Sequence, residues 1–142
     1  IVMLILVAVT VNLANENAER LCKPANKPQF ILSDLFEGVN HTDFDVIVSN
    51  PPYIKNCDME KLQIEVKKAP SMALDGGEYG LLFYKEIAIK SREFLSEDGS
   101  LFFEIGFDEG NDVSEILRLN DYKEIFVIKD FGGNDRVVKC KK

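Results

Sequence analysis

The stretch Asp45-Val46-Ile47-Val48-Ser49-Asn50-Pro51-Pro52-Tyr53 decides the fold. A short β-branched run stops in an amide, two prolines and an aromatic ring. The run Val46-Ile47-Val48 is too short for a helix and predicts a strand buried on both faces. Pro51 and Pro52 fix φ, remove two N–H groups and push the residue before them out of the helical region, so the strand ends at Asn50. The product is a rigid elbow at the carboxyl end of a buried strand, where open α/β sheets carry their ligands. Asn50 offers a side-chain carbonyl and an NH2, the Pro51 carbonyl has no local partner, and Tyr53 adds a flat face. That set suits a planar –C(=O)NH2 or –C=N–NH2 group held against a ring.

Upstream of the elbow, residues 1–9 are continuously apolar and predict a buried strand. Asn12 is the expected N-cap of a helix that carries Ala14, Ala18 and Leu21 on one face. A loop over residues 23–28 leads to a strand over residues 29–32, which ends in Ser33-Asp34-Leu35-Phe36-Glu37. Downstream, residues 59–68 are polar and helix-like, and Leu74-Asp75-Gly76-Gly77-Glu78-Tyr79-Gly80 is a glycine-rich turn. Tyr84, Ile87, Ala88, Ser91, Phe94 and Leu95 keep helical spacing. Gly99 is expected to turn the chain into a strand over residues 101–105. Val113, Ile116 and Leu117 then mark a helix, with Asn120 as its left-handed stop. Strands over residues 122–129 and 136–140 flank a hairpin that contains Gly132-Gly133-Asn134-Asp135. The alternation predicts an α/β fold, a mostly parallel sheet with an antiparallel carboxyl-terminal hairpin and one reversed edge strand. Tyr84, Phe102, Phe103 and Phe126 read as core.

The chain has 142 residues, enough for one domain with a real core, and its 46% hydrophobic and 29% charged content is ordinary for a globular protein. A formal net charge of −7 argues against a dedicated binder of nucleic-acid backbone, which needs a basic groove. The three cysteines, Cys22, Cys57 and Cys140, form no CxxC pair and leave one over, so a reduced, cytoplasmic setting is expected. The single His41 lies in a polar loop and reads as solvated, and no metal set stands out. Residues 1–9 are too few to span a bilayer and no basic segment precedes them, so no membrane association is expected. The chain begins at Ile1 rather than Met, which reads as a fragment lacking its amino-terminal part.

Asn-Pro-Pro-Tyr after a hydrophobic strand resembles the catalytic motif of S-adenosylmethionine-dependent methyltransferases that modify amino groups conjugated to a π-system. The wider pattern is more specific. Asn-Ala-Glu-Arg-Leu, Ser33-Asp34-Leu35-Phe36, residues 44–54, Glu65-Val66, the block from Ala73 to Leu81, Phe83-Tyr84, residues 101–106 and residues 129–138 together resemble the HemK/PrmC group. That group methylates the side-chain amide of glutamine in the Gly-Gly-Gln motif of peptide chain release factors. The resemblance implies a Rossmann-like S-adenosylmethionine-dependent fold, represented by residues 1–142 as a single, partial catalytic domain. It implies that Asn50, Pro51 and Tyr53 are catalytic and that Asn50, Pro51, Pro52 and Tyr53 hold the substrate amide. It also implies that Asp34 takes the adenine amino group, with Leu35 beside the ring and Asn50 completing the cofactor set. The plain reading of Asp34 is a loop aspartate capping a turn. The plain reading of Gly76-Gly77 is a tight turn, expected here to order the loop over the site. Glu104 reads as structural, and Arg136 as a hairpin salt bridge or solvated charge.

The sequence also departs from that group. No Gly-x-Gly-x-Gly follows the first strand, the amino-terminal helical portion is absent, and Val9-Thr10-Val11-Asn12 stands where an acidic residue normally grips the ribose. The loop before Pro70 is one residue short and lacks its acid. Weak or no S-adenosylmethionine binding by this chain alone is therefore expected, together with an unfilled sheet edge open to self-association. Two other functions stay open at this point: a nucleic-acid adenine methyltransferase, and an inactive truncated domain that serves as a binding module.

Overall fold

The computed structural model describes residues 2–5, 8–61 and 73–142. The chain forms two compact units, Ile1–His41 and Thr42–Lys142. The first unit contains strand β1 (Val2–Ile5), helix α1 (Ala8–Leu21), a 3-10 turn at Pro24–Asn26 and strand β2 (Gln29–Leu32). The two strands pair in parallel, with Val2 opposite Gln29 and Ile5 opposite Leu32. The strand expected over residues 1–9 is thus shorter, and residues 1, 6 and 7 lie outside the described set. Its length follows its partner: β2 offers four residues, and the β-propensity of Val9 and Val11 yields to the helix. Asn12 consequently lies inside α1 and is not its cap. Of the expected helical face, Ala18 is buried and Ala14 half-buried, while Leu21 is 82% exposed at the helix end.

The second unit runs β3 (Phe44–Ser49), a 3-10 helix at Asn56–Lys61, α2 (Leu82–Phe94), β4 (Leu95–Glu104), α3 (Gly110–Leu119), β5 (Lys123–Lys129) and β6 (Asp135–Lys141). Most of the helix-like stretch at residues 59–68, together with Glu65, Val66 and the loop before Pro70, lies outside the described residues. The four strands order β3-β4-β6-β5. β3 runs parallel to β4, and β6 runs antiparallel to both β4 and β5. The reversed strand is therefore β6, inside the sheet rather than at its edge. The hairpin folds its second strand inward onto β4 and leaves β5 outermost. Around Gly99, Leu95 pairs with Phe44 and Ser100 with Val46, so residues 96–99 bulge out of the ladder. A Cβ on Gly99 would meet the Phe44 carbonyl oxygen at 2.9 Å, which is why a glycine sits at this bulge.

One face of this sheet is a core. Leu101, Phe103, Ile105, Val138 and Cys140 are fully buried, and α2 and α3 pack there with Tyr84, Ile87, Ala88, Val113 and Leu117. Tyr84 meets Phe103 edge-on at 5.1 Å between ring centroids. The other face is open: Val46 is 53% and Val48 74% exposed, and Phe126 is 56% exposed. The expectation of a strand buried on both faces fails here, because β3 pairs only with β4 among the described residues and one face of its apolar run meets solvent. Phe126 likewise leaves the expected core for the outer edge strand. The helix α3 ends through Asn120 at φ −106°, and Asp121, at φ +60°, is the left-handed residue. Asn120 instead donates its side-chain amide to the Ile116 carbonyl at 2.8 Å.

The helical layer is tied to the start of β5 by polar contacts in the core. The Tyr122 hydroxyl lies 2.7 Å from Ser91 Oγ and donates toward the Ala88 carbonyl at 3.1 Å, while Ser91 donates to Ile87 at 2.6 Å. Arg92 stacks over the Tyr122 ring at 5.2 Å. Burial pushes the Tyr122 phenol up to about 12. Removal of that hydroxyl takes a buried partner from both the Ala88 carbonyl and Ser91, so Tyr122→Phe should lower unfolding stability by about 1–2 kcal/mol in urea titration; an unchanged midpoint would show that these contacts contribute nothing.

Candidate active site

Each unit brings one sequence-predicted group to the end of a strand. In the first unit β2 ends at Leu32, and the chain turns tightly through Ser33–Val39. Ser33 Oγ accepts the Gly38 N–H at 2.7 Å, the Asp34 carbonyl accepts the Glu37 N–H at 3.1 Å, and the Phe36 carbonyl accepts the Val39 N–H at 3.0 Å. The turn leaves Asp34 exposed and Leu35 half-buried. Leu35 adopts φ +45°, a left-handed conformation that disfavours a branched side chain and is held here by the surrounding turn. An exposed carboxylate beside an apolar side chain, past the end of a parallel strand, can accept from an exocyclic amine and flank its ring.

In the second unit β3 delivers the elbow. Asn50 is exposed, Pro51 and Pro52 are buried, and Tyr53 is half-buried. Among the described residues no hydrogen-bond donor reaches the Asn50 side chain or the Pro51 carbonyl, so both oxygens remain open to an N–H. The prolines wedge into the interior, and the amide is held outward at the point where the strand stops.

What fixes the elbow is the glycine-rich block. The Ile54 N–H donates to Leu74 at 3.0 Å, the Gly76 N–H returns to Ile54 at 2.9 Å, and the Asn56 N–H donates to Gly77 at 3.1 Å. Asp75 Oδ1 accepts the Gly77 N–H at 2.8 Å, and the Asn56 side-chain NH2 reaches the same carboxylate and the Gly77 carbonyl. A Cβ on Gly76 would lie 2.8 Å from Tyr53 Cα, and one on Gly80 would lie 2.5 Å from the Tyr53 carbonyl oxygen. Gly80 also sits at φ +76°. The block is therefore more than a turn: its bare backbone packs face to face with the backbone of the elbow.

Sequence reasoning missed a second layer. Glu109 precedes α3 and is only 3% exposed. Its Oε2 accepts the Gly106 N–H at 2.9 Å and lies 3.2 Å from the Tyr84 hydroxyl, which also donates to the Glu104 carbonyl at 3.0 Å. A Cβ on Gly80 would meet Glu109 Oε1 at 2.7 Å, so this carboxyl backs the glycine that backs Tyr53. Burial raises the Glu109 carboxyl above the ordinary range, against the lowering pull of the Gly106 and Tyr84 hydrogen bonds. Lys55, just past the elbow, pairs with Asp108 at 3.1 Å, and that hydrogen bond raises its ammonium. The signal for this layer was an acid between Gly106 and Gly110, after a strand end. Glu104 is half-buried and contributes its backbone carbonyl to the layer. Arg136 bonds Asp130 at 3.3 Å and the Ile105 carbonyl at 3.3 Å, whereas its sequence neighbour Asp135 pairs with Lys129 at 2.8 Å.

The chain is similar to known proteins in sequence and in fold. The profile of the family described as methyltransferase small domain matches residues 2–98. The release factor glutamine methyltransferase of Fusobacterium nucleatum is 44% identical over 135 residues, covering 93% of this chain and 37% of the relative. That of Clostridium botulinum is 48% identical over 100 residues, covering 70% of this chain and 35% of the relative. The crystal structure of a methyltransferase from Pyrococcus furiosus superposes with a TM-score of 0.73 at 20% identity, over 99% of this chain and 61% of that one. The chain thus spans little more than a third of the length of these two sequence relatives. With a strand-end elbow, a Rossmann-like architecture and a matching profile over more than half its residues, the chain belongs to the methyltransferase small domain family.

Proposed function

We propose that residues 1–142 are one partial catalytic domain that transfers a methyl group from S-adenosylmethionine to the side-chain amide of glutamine in a Gly-Gly-Gln motif. The substrate is a peptide chain release factor in the reducing cytoplasm, a setting that suits three unpaired cysteines. The observation that carries this reading is the exposed Asn50 amide on a strand stopped by two buried prolines. Relatives named release factor glutamine methyltransferase support the choice of substrate, and a net charge of −7 favours a protein over a nucleic acid. Among the described residues no helix is long and apolar enough to cross a membrane.

The donor set fits the cofactor in part. In the first unit Asp34 would accept from the adenine amino group and Leu35 would lie along its ring; in the second unit Asn50 would hold the substrate amide. S-adenosylmethionine supplies an electrophilic methyl group on a sulfonium. The chain's own contribution is orientation. A glutamine amide nitrogen is a weak nucleophile because its lone pair is delocalised into the carbonyl. The Asn50 side-chain oxygen and the Pro51 carbonyl would each accept one N–H, fixing the nitrogen with its free lobe toward the methyl donor. Two acceptors also favour the positive charge that would grow on nitrogen as the N–C bond forms and the methyl–sulfur bond breaks. The nitrogen would then release one proton to solvent, leaving a neutral methylamide and a neutral thioether. Tyr53 would wall the amide and exclude water.

No Gly-x-Gly-x-Gly occurs among the nine glycines, so the loop expected to cradle the remainder of the cofactor is not in this sequence. Among the described residues β3 pairs on one side only, which supports uptake of a further strand or a second copy at that edge. Calorimetry of S-adenosylmethionine against this chain should therefore show no micromolar binding, and micromolar affinity would contradict this part of the reading. In a full-length enzyme, Asn50→Ala and Asn50→Asp should each slow methyl transfer to a release factor by about 10²-fold or more. Unchanged rates in both variants, or labelled methyl appearing in DNA and not in the release factor, would overturn the proposal.

A further inference from the structure

The contacts around Tyr84 require more protons than the phenol owns. The Tyr84 hydroxyl lies 3.0 Å from the Glu104 carbonyl oxygen and 3.2 Å from Glu109 Oε2. A backbone carbonyl can only accept, and an ionised carboxylate can only accept. One phenolic proton would then face two acceptors in a buried site. A proton on Glu109 resolves the conflict: Tyr84 donates to Glu104, Glu109 donates to the Tyr84 oxygen, and the Gly106 N–H still finds a carboxyl lone pair. We propose that Glu109 is a positioning residue for the elbow, held as a neutral carboxylic acid that locks Tyr84 and Gly106 and thereby seats Gly80 against Tyr53.

The surroundings agree with a neutral acid. Glu109 is 3% exposed, and its burial raises the carboxyl above its usual range. Glu109 precedes α3, and its side chain makes no capping bond to that helix but turns back to Gly106; the helix N-terminus favours the ionised form, against the effect of burial. The charged and titratable groups nearby partly cancel. Lys55, past the elbow, favours the ionised form; Asp108, in the same turn, disfavours it. Lys55 is itself paired with Asp108. Tyr84 comes from α2 and is kept protonated by burial. Glu104 ends β4, and the Asp135 carboxylate of β6 lies against the adjacent Gly110.

The native chain holds a proton that the unfolded chain releases, so stability present below the ordinary carboxylate range is lost as pH rises through the native midpoint. Ionisation would place two acceptors around one phenolic proton and loosen the layer behind Gly80. The part of this inference that concerns methyl transfer rests on the proposed function; the protonation does not.

The test is a carbon-13 titration of the glutamate carboxyls in this chain, with the amides of Gly106, Gly80 and Ile54 followed in the same samples. Glu109 should titrate above the other glutamates, and the three amides should move with its midpoint. In Glu109→Gln, whose side chain cannot ionise, that amide transition should vanish. Tyr84→Phe separates the two bonding patterns. If the carboxyl donates to the phenol, loss of the phenol lowers the Glu109 midpoint; if the phenol donates to the carboxylate, its loss raises the midpoint. A raised midpoint in Tyr84→Phe, or amides at Gly80 and Ile54 that ignore the titration, would overturn the inference. In a full-length enzyme, kcat should fall above the same midpoint, and this fall should be absent in Glu109→Gln. Loss of the kinetic result with the spectroscopic one intact would count against the proposed function instead.

Discussion

Two backbones in contact set the geometry of the elbow. The main chain of Tyr53 occupies the space that side chains at Gly76 and Gly80 would fill, with clearances of 2.8 Å and 2.5 Å for a hypothetical Cβ. Proline fixes the direction in which the chain leaves β3, yet proline cannot fix where the following residues lie. That second constraint comes from the glycine block, through close approach and through the reciprocal bonds between Ile54, Leu74 and Gly76. Asn50 points outward because everything behind it is closed: two buried prolines, the glycine backbone, then the carboxyl of Glu109.

Much of this was legible in the sequence, and the limits have physical causes. The end of β3 at the Asn-Pro-Pro step follows from the chemistry of proline and is found where expected. The helices α2 and α3 follow from apolar spacing, because their faces meet a core that a 3.6-residue period describes. Burial of β3 was not legible. Its apolar run is compatible with two covered faces, but Val46 and Val48 stand on the open side of a four-stranded sheet. The start of α1 was also misread, since the extent of β1 is set by pairing with the four residues of β2. The order of the carboxyl-terminal strands depends on which strand of a hairpin docks inward, and local sequence carries no trace of that choice.

The site shows the same division. Asn50, Pro51, Pro52 and Tyr53 can be named from local chemistry, and Asp34 and Leu35 from a strand end followed by a tight turn. Glu109 could not be named that way, because its meaning depends on Tyr84, 25 positions away in sequence. A carboxyl buried beside a phenol becomes informative only when the available protons are counted against the acceptors. The division of labour is consistent with a reaction that needs orientation more than a strong base: open oxygens at the elbow, and buried polar groups spent on holding the elbow still.

The central claim is that Gly80 supports the elbow through close packing rather than through its positive φ alone, and amide hydrogen exchange can separate the two. Gly80 and Gly133 both adopt positive φ, at +76° and +85°, but a Cβ on Gly133 meets nothing within 4 Å. Alanine at either position carries a similar backbone cost of about 1 kcal/mol. The account predicts that Gly80→Ala strips protection from the Ile54 amide, whereas Gly133→Ala leaves it intact. Equal protection of Ile54 in the two variants would contradict it.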